Sequence, residues 1–480
     1  MADGLLLTID LGTSSAKVGL VAPNGQLLGF ARRRYPLERG AKAGSAEQDP
    51  EQWWAAVEDA IHELAVTHDL GCLSAVCAGG QGPTLVLVDG AGRAVRPALS
   101  WMDTRSTGQS RRLAERLGSD RAAYSLVPRL LWVAEEEPEG FMRARWALQA
   151  WDFVGYRLSG GHAAASTFAG DDVWRRDWLA AAGLSESPLI PHEVDAGVPY
   201  AETAGPWSDA AGLPAGVPIV GGMNDGVGSI VGAAGSVVGR ATDPGGAAGG
   251  LAVCWDQHVV APGVDCWPGL VPDTFIIGGA FVAGGRAVEW WTNATSTNLL
   301  HTLELAAQAP PGSGGLLFLP FLAGERAPIW DPTARGAFLG LTFEHEPRHL
   351  ARAVVESTGY ELRLLAEAIE RTGARIDELR VCGGQARSRF WNQIKADIMG
   401  LPASVPRLPE VALMGNAICA ALGARLYPDL ATAGEAMVQV AEVLEPQSVH
   451  RPVYDELYAV YAAAYPALKP FFDPLARAAR

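Results

Sequence analysis

The chain has little that would tie it to a membrane, to nucleic acid or to an oxidising compartment. No apolar run reaches the roughly 18 residues of a membrane span, and no basic region followed by a long apolar run opens it as a secretory leader would. The expected compartment is the cytoplasm. Positive charge is sparse. The net charge is −15 and no basic cluster is longer than Arg32-Arg33-Arg34, which argues against a nucleic-acid partner. A phosphate ligand stays compatible with that balance, because a site needs only local donors. The six cysteines, Cys72, Cys77, Cys254, Cys266, Cys382 and Cys419, include no CxxC pair. That argues against a zinc site or a disulfide framework and predicts buried free thiols. Two common nucleotide signatures are also missing, GxxxxGK[ST] and GxGxxG.

What is present is a chain of 480 residues, 49% apolar and 19% charged. This composition is globular rather than disordered, and the length exceeds one core, so two or three domains are expected. Leu5-Leu6-Leu7 and Ile9 form a short apolar run that suits a buried strand and ends at Asp10. Gly12-Thr13-Ser14-Ser15 follows, then Lys17 to Val21 reads as a second strand. After the turn Pro23-Asn24-Gly25, Gln26 to Ala31 reads as a third, which makes an antiparallel meander. A Gly/Thr/Ser hairpin exposes N–H groups and hydroxyls, both phosphate ligands. Asp10 at the strand end can face magnesium, directly or through water. An ordinary polar turn fits this stretch equally well.

Further along, Asp49-Pro50-Glu51 starts a helix with a capping Asp, Pro at the first position and an acid in the first turn. Trp53, Val57, Ile61 and Leu64 then recur at helical spacing. Leu73 to Ala78 reads as a strand that runs into Gly79-Gly80-Gln81-Gly82-Pro83, with Thr84 to Asp89 as the next. Asp103 and Arg105 follow an apolar segment; as residues alone they read best as a surface ion pair. Gln109 to Arg145 looks helical. Val217 to Val220 is a strand ending in Gly221-Gly222; it delivers Asp225 to the start of a glycine-rich helix over 227–238. An Asp between strand end and helix start suits a catalytic base, and also an N-cap.

Near Gly239 the chain echoes its beginning: Ala241-Thr242-Asp243-Pro244-Gly245-Gly246 resembles Thr8 to Thr13. Two Asp/Gly hairpins suggest two related domains, expected at 1–238 and 239–480. Pro347 begins a long amphipathic helix. Leu379 to Cys382 is a strand that breaks into Gly383-Gly384, Ser388 caps a further helix, and Gly415-Asn416-Ala417 opens a small-residue helix. Glycines at such places permit close approach of a flat ligand such as adenine. The last helix, from Tyr454 onward, reads as a packing element.

Together these pieces resemble the FGGY family of carbohydrate kinases, and within it the xylulokinase-like branch. The strongest element is Gly336 to Glu356, GAFLGLTFEHEPRHLARAVVE, which fits the family's C-terminal signature at every constrained position. IDLGTSSAKV at 9–18, EQDPEQWW at 47–54, FLPFLAGERAP at 318–328 and GGQARSRFWNQIKAD at 383–397 support it. The resemblance implies an α/β fold of two ribonuclease-H-like (actin-like ATPase) domains with an interdomain cleft. The last helix is then a candidate to pack back on the first domain. The implied cofactors are ATP and Mg2+. Asp10 would organise the metal, Thr13, Ser14 and Lys17 would face the transferred phosphate, and Asp225 would be the catalytic base. Asp103, Arg105 and Gln81, with Asp225, would lie at the sugar. Gly245 and Gly246 would hold ATP phosphates, and Gly383, Gly384 and Asn416 the adenosine. The implied partner is a small sugar or polyol, with neither nucleic acid nor membrane, and a homodimer is left open.

Two departures from the family stand out. The xylulokinase-like branch usually carries Gln-Met-His-Gly where this chain has Gly80-Gln81-Gly82-Pro83, so D-xylulose is expected to be a poor substrate. Relatives commonly have Gly-Thr-Ser-Gly where this chain has Gly246-Ala247-Ala248-Gly249. Two hydroxyl donors are missing there. The reading is an ATP-dependent kinase of a small sugar, ketose or polyol. The rival is a non-catalytic sugar-binding or regulatory protein on the same fold.

Overall fold

The computed structural model describes residues 4–38, 40, 42–118, 125–168, 173–185, 187–269 and 271–478. The chain divides into two units, Met1–Gly232 with Ala412–Met437, and Ala233–Val411 with Val438–Arg480. The first boundary lies a few residues before the expected 238. The terminal helix belongs to the second unit, not the first; the segment that returns to the first unit is 412–437.

In the first unit the opening apolar run is strand β1 (Leu5–Leu11), with Leu6, Leu7, Ile9 and Leu11 fully buried. It pairs antiparallel with β2 (Ser15–Val21), which pairs antiparallel with β3 (Leu27–Arg34). β4 (Leu73–Gly80) lies parallel to β1 on its other side. β5 (Pro199–Glu202) and β6 (Pro218–Val220) complete a six-stranded sheet in the order β5-β6-β4-β1-β2-β3. Helix α1 (Pro50–Ala65) starts where Asp49 accepts from the Glu51 N–H at 3.0 Å. Its Trp53, Val57 and Ile61 are fully buried and share a core with β1, β2 and α2 (Ala150–Leu158). Helix α3 (Asp225–Gly232) is shorter than the sequence suggested. Leu85, Leu99, Leu130 and Trp178 belong to a second apolar cluster of this unit.

The second unit repeats the strand order. Its sheet runs β9-β10-β8-β7-β11-β12-β13, with β7 (Arg240–Asp243), β8 (Gly249–Trp255), β9 (Asp265–Pro268), β10 (Phe275–Phe281), β11 (Glu378–Val381), β12 (Ala403–Pro406) and β13 (Val440–Leu444). As in the first unit, the strand carrying the hairpin Asp pairs antiparallel with the next strand (β8), which pairs antiparallel with β10, and on its other side it pairs parallel with β11, which pairs parallel with β12. This doubled arrangement is the two-domain actin-like, ribonuclease-H-like ATPase fold.

Three further helices of this unit matter below: α4 (Gly285–Ala294), α5 (Pro347–Glu370) and α6 (Arg389–Met399), followed by α7 (Arg451–Ala478). The signature stretch ends in α5 at Glu356, which is fully buried. Its carboxylate accepts from the Gly312 N–H at 3.0 Å, Arg352 Nε at 2.7 Å, the Tyr454 hydroxyl at 2.9 Å and the Ser313 hydroxyl at 2.9 Å. That clasp ties α5 to α7 and to the loop before the strand Leu317–Leu319. The most family-specific residues here secure the fold. All six cysteines are free; five are buried as expected, but Cys72 is exposed, because it ends a surface turn before β4.

Candidate active site

Asp10 lies directly opposite Lys17 in the β1–β2 register. It is 2% exposed, and Lys17 Nζ donates to its Oδ2 at 2.9 Å. Its Oδ1 is buried without a protein partner. A buried carboxylate oxygen of this kind needs a donor or a cation.

Glycines let a second carboxylate come close. A Cβ on Gly222 would sit 1.8 Å from the Ala78 carbonyl, and one on Gly79 would sit 2.6 Å from that of Met223. With no side chain there, the Gly80 N–H reaches the Met223 carbonyl at 3.1 Å. α3 then starts at once. Its cap is Asn224, whose Oδ1 accepts from the Val227 N–H at 2.9 Å. Asn224 therefore takes the capping role, and the Asp225 carboxylate is spared it. Burial pushes the Asp225 carboxyl up, the charge of Asp10 pushes it further, and the Gly226 N–H and Lys17 pull against them; the result is about 7.

The hairpin between β1 and β2 is held from several directions. Tyr35 donates its hydroxyl to the Gly12 carbonyl, Gln48 Nε2 donates to the Thr13 carbonyl at 2.8 Å, and Trp101 Nε1 donates to Thr13 Oγ1 at 3.0 Å. Thr13 is half-buried and Ser14 is exposed.

Asp103 and Arg105 do form an ion pair, but in the interior rather than on the surface: their side chains are 2% and 10% exposed. Arg105 Nη2 reaches Asp103 Oδ2 at 2.7 Å and also bonds Glu47, and its guanidinium lies over the Trp132 ring at 4.6 Å. Asp103 Oδ2 also accepts the Ala46 N–H at 2.9 Å. Burial works to raise the Asp103 carboxyl, but the hydrogen bonds from Arg105 and Ala46 prevail and hold it below the ordinary carboxylate value. Gln81 is fully buried; its Nε2 donates to Gln48 Oε1 at 2.6 Å, and its Oε1 has no protein partner.

In the second unit the structure brings Gly245, Gly246, Gly383 and Gly384 together. Gly245 has φ +56 and Gly383 φ +64, and a Cβ on either would meet a carbonyl of the other turn, at 1.8 Å (Cys382) and 2.4 Å (Pro244). Asp243 organises the loop. Its Oδ1 accepts the Gly245 N–H at 2.9 Å and its Oδ2 accepts Lys395 Nζ at 2.5 Å. Lys395 also donates to Gln385 Oε1 at 2.7 Å, and Gln385 Nε2 donates to the Gly246 carbonyl at 2.9 Å. Asp243, Gln385 and Lys395 were not among the site residues expected from sequence. A lysine between Ile394 and Ala396, on the inner face of a helix, was the available signal: a buried ammonium requires a partner. The loop tip Gly246-Ala247-Ala248 is exposed. Its Gly246 and Ala247 carbonyls accept the Gly285 and Arg286 N–H groups of α4, each at 2.9 Å. Asn416 does not join this group. It belongs to the first unit, is 2% exposed, and donates Nδ2 to the Ile9 carbonyl at 2.8 Å.

Among the described residues no three or more His, Cys, Asp or Glu side chains cluster as a metal cage. The first unit nevertheless suits magnesium, which usually takes only one or two carboxylates and completes its shell with water and phosphate. The unpaired Asp10 Oδ1 is free to serve as one such carboxylate ligand. Among the described residues no helix is long and apolar enough to cross a membrane.

Comparison with known proteins agrees with this architecture. The N-terminal domain of the FGGY family of carbohydrate kinases matches residues 5–232, and its C-terminal domain matches 251–424. A xylulose kinase of Escherichia coli is 30% identical over 417 residues, covering 82% of this chain and 85% of that protein. A gluconokinase of Bacillus subtilis is 27% identical over 504 residues, covering 98% of this chain and 95% of that protein. The crystal structure of a xylulose kinase from Brucella ovis superposes with a TM-score of 0.86 at 27% identity, covering 97% of this chain and 100% of that one. The chain belongs to the FGGY family of carbohydrate kinases. It is an enzyme that moves a phosphoryl group from ATP to an alcohol group of a sugar.

Proposed function

We propose that the acceptor is a small sugar, ketose, sugar acid or polyol other than D-xylulose, and that Asp225 is the base that takes the proton from its reacting hydroxyl. The observation that carries this reading is the Asp225 carboxylate at the first turn of α3, relieved of capping by Asn224 and raised to about 7. A base with that pKa is available at neutral pH and strong enough to accept an alcohol proton as the O–P bond forms. The hydroxyl oxygen attacks the terminal phosphorus of ATP, its proton goes to Asp225, and ADP leaves. Thr13 and Ser14 would donate to the transferred phosphoryl group, and Asp10 would hold magnesium through Oδ1. Magnesium, when bound, would neutralise phosphate charge; phosphoryl transfer needs such positioning and neutralisation more than covalent help. Lys17 would hold the Asp10 carboxylate in its orientation. The N–H groups that follow Gly245, whose own N–H is held by Asp243, would serve ATP phosphates, with Gly383 and Gly384 beside the adenosine.

The residues at the sugar support a substrate other than D-xylulose. Gly82 leaves room filled by Trp151, 3.1 Å from where its Cβ would lie, and no imidazole stands in the 80–83 segment. A site that loses one hydrogen-bonding group discriminates against the hydroxyl that group would meet. The test is ADP release by purified protein with D-xylulose, other ketopentoses, ketohexoses, D-gluconate, aldoses and polyols. D-xylulose as the best substrate would overturn the specificity. On the best substrate, Asp225→Asn is expected to cut turnover by roughly 10²–10⁴ while sparing sugar binding. A variant keeping half of the native turnover would remove the base.

A further inference from the structure

The stretch Glu47-Gln48-Asp49-Pro50-Glu51 takes no part in the chemistry set out above. Glu47 and Gln48 form a two-residue strand, antiparallel to Ala98–Leu99. Successive strand residues face opposite ways, and these two use that alternation. Glu47 turns to the guanidinium groups of Arg105 and Arg96. Gln48, 1% exposed, turns to the hairpin. Its Nε2 donates to the Thr13 carbonyl at 2.8 Å and the Pro36 carbonyl at 3.2 Å, and its Oε1 accepts Gln81 Nε2 at 2.6 Å. Asp49, the next residue, caps α1 and so fixes the pair to a helix whose inner face is fully buried.

Thr13 is thus gripped at two atoms. Gln48 holds its carbonyl, and the Trp101 indole donates to its Oγ1 at 3.0 Å. An indole N–H only donates, so Thr13 Oγ1 is the acceptor there and keeps its own hydrogen for another partner. We propose that Gln48 is a positioning residue for phosphoryl transfer: by fixing the Thr13 peptide it aims the Thr13 hydroxyl hydrogen and the neighbouring N–H groups at the transferred phosphate. Through Gln81 and, on the opposite side of the strand, through Glu47 and Arg105, the same two residues join that hairpin to the segments assigned to the sugar. This inference rests on the reading that the Gly12–Ser14 hairpin faces the phosphate.

The test compares Gln48→Met, Gln48→Glu, Thr13→Ala and the pair Gln48→Met with Thr13→Ala, using the sugar that releases ADP fastest. Gln48→Met keeps the volume and loses all three hydrogen bonds. Gln48→Glu keeps an acceptor for Gln81 and loses the donor to Thr13. Both are expected to lower kcat by roughly 10- to 100-fold, the scale of a misplaced reacting group, with the sugar KM within about twofold of native. In the Thr13→Ala background, Gln48→Met should cost less than it does alone. Native kcat in Gln48→Glu, a loss that appears in sugar KM instead, or fully multiplicative effects would overturn the positioning role while leaving the phosphate reading intact. Native turnover in Thr13→Ala would remove the phosphate reading, and this inference with it. Gln48→Glu carries the test should Gln48→Met fail to fold.

Discussion

The two units build the same hairpin and use it differently. In each, an Asp at or next to the end of a strand meets a lysine, and the turn that follows is rich in glycine. Only four lysines occur in the chain, and two of them hold these aspartates. In the first unit Lys17 comes from the hairpin itself, 21% of its side chain is exposed, and it takes one Asp10 oxygen, leaving the other unpaired. In the second unit Lys395 comes from α6, is 1% exposed, and takes Asp243 Oδ2 while the Gly245 N–H takes Oδ1. Asp10 retains bonding capacity for a ligand. Asp243 has spent its own on shaping a loop. The same strand order therefore carries an aspartate with an open oxygen in one unit and an aspartate bonded at both oxygens in the other.

That contrast breaks most sharply at Asp10. Asp10→Asn is expected to lower turnover by roughly 10²–10⁴, as loss of a charge that acts in the transition state does, while the urea midpoint stays near native. If turnover holds and the midpoint drops, the two aspartates are alike and the distinction fails. The converse variant is Lys395→Met. It strands the buried Asp243 charge, which costs on the order of 3–5 kcal/mol, whereas Lys17→Met removes an ammonium that is 21% exposed, where water can replace part of the lost donor, and should cost less. Urea unfolding of both variants checks the ranking; equal losses would show that burial does not separate the pairs.

A smaller effect sharpens the comparison at the loop tips. Ala247→Thr with Ala248→Ser gives the second hairpin the hydroxyls that the first has in Thr13 and Ser14. Each new bond to a charged oxygen is worth at most about 1.5–3 kcal/mol, and water already supplies part of that. ATP should bind several-fold tighter with sugar preference unchanged; unchanged ATP affinity and rate would show that this tip does not hold phosphate. A native protein silent with every sugar, and a double variant that is active, would favour the non-catalytic rival. The smallest effect is on pH. Asp225 must be ionised to act, and its carboxyl sits raised at about 7. kcat/KM should therefore fall as pH drops through 7. Lys17 pulls that carboxyl down, so Lys17→Met should move the acid limb to higher pH. A limb that stays put would separate Lys17 from Asp225.

Much of this was legible in the sequence because it is local. The β1–β2–β3 meander, the Asp49 cap, and the strand and helix that flank Asp225 all follow from periodicity and turn residues within a few positions. What was not legible depends on distant partners. Arg105 reads as a surface residue until Glu47 and Trp132 enclose it. Gln81 reads as a sugar ligand, with no sign that its Nε2 is taken by Gln48, 33 positions away, while its Oε1 has no protein partner. The helix after Asp225 stops at Gly232, two residues before Ala234 takes a positive φ of 53, which a run of small residues does not announce. Nothing local in the sequence ties Asn416 to the Ile9 carbonyl of β1, 407 positions away.

That last attachment has a consequence for how the chain folds as it is made. The Ile9 carbonyl, one residue before Asp10, receives its hydrogen bond from Asn416, and the close fit at Gly79 is likewise against the Asn416 side chain. On the ribosome β1 and β4 emerge early, and Ala412–Met437 arrives only after the body of the second unit has been synthesised. At ~5–20 residues per second the wait after residue 232 is on the order of 10–40 s. During that time the strand that bears Asp10 lacks its Asn416 partner, so the first unit cannot complete its fold before most of the second has been made.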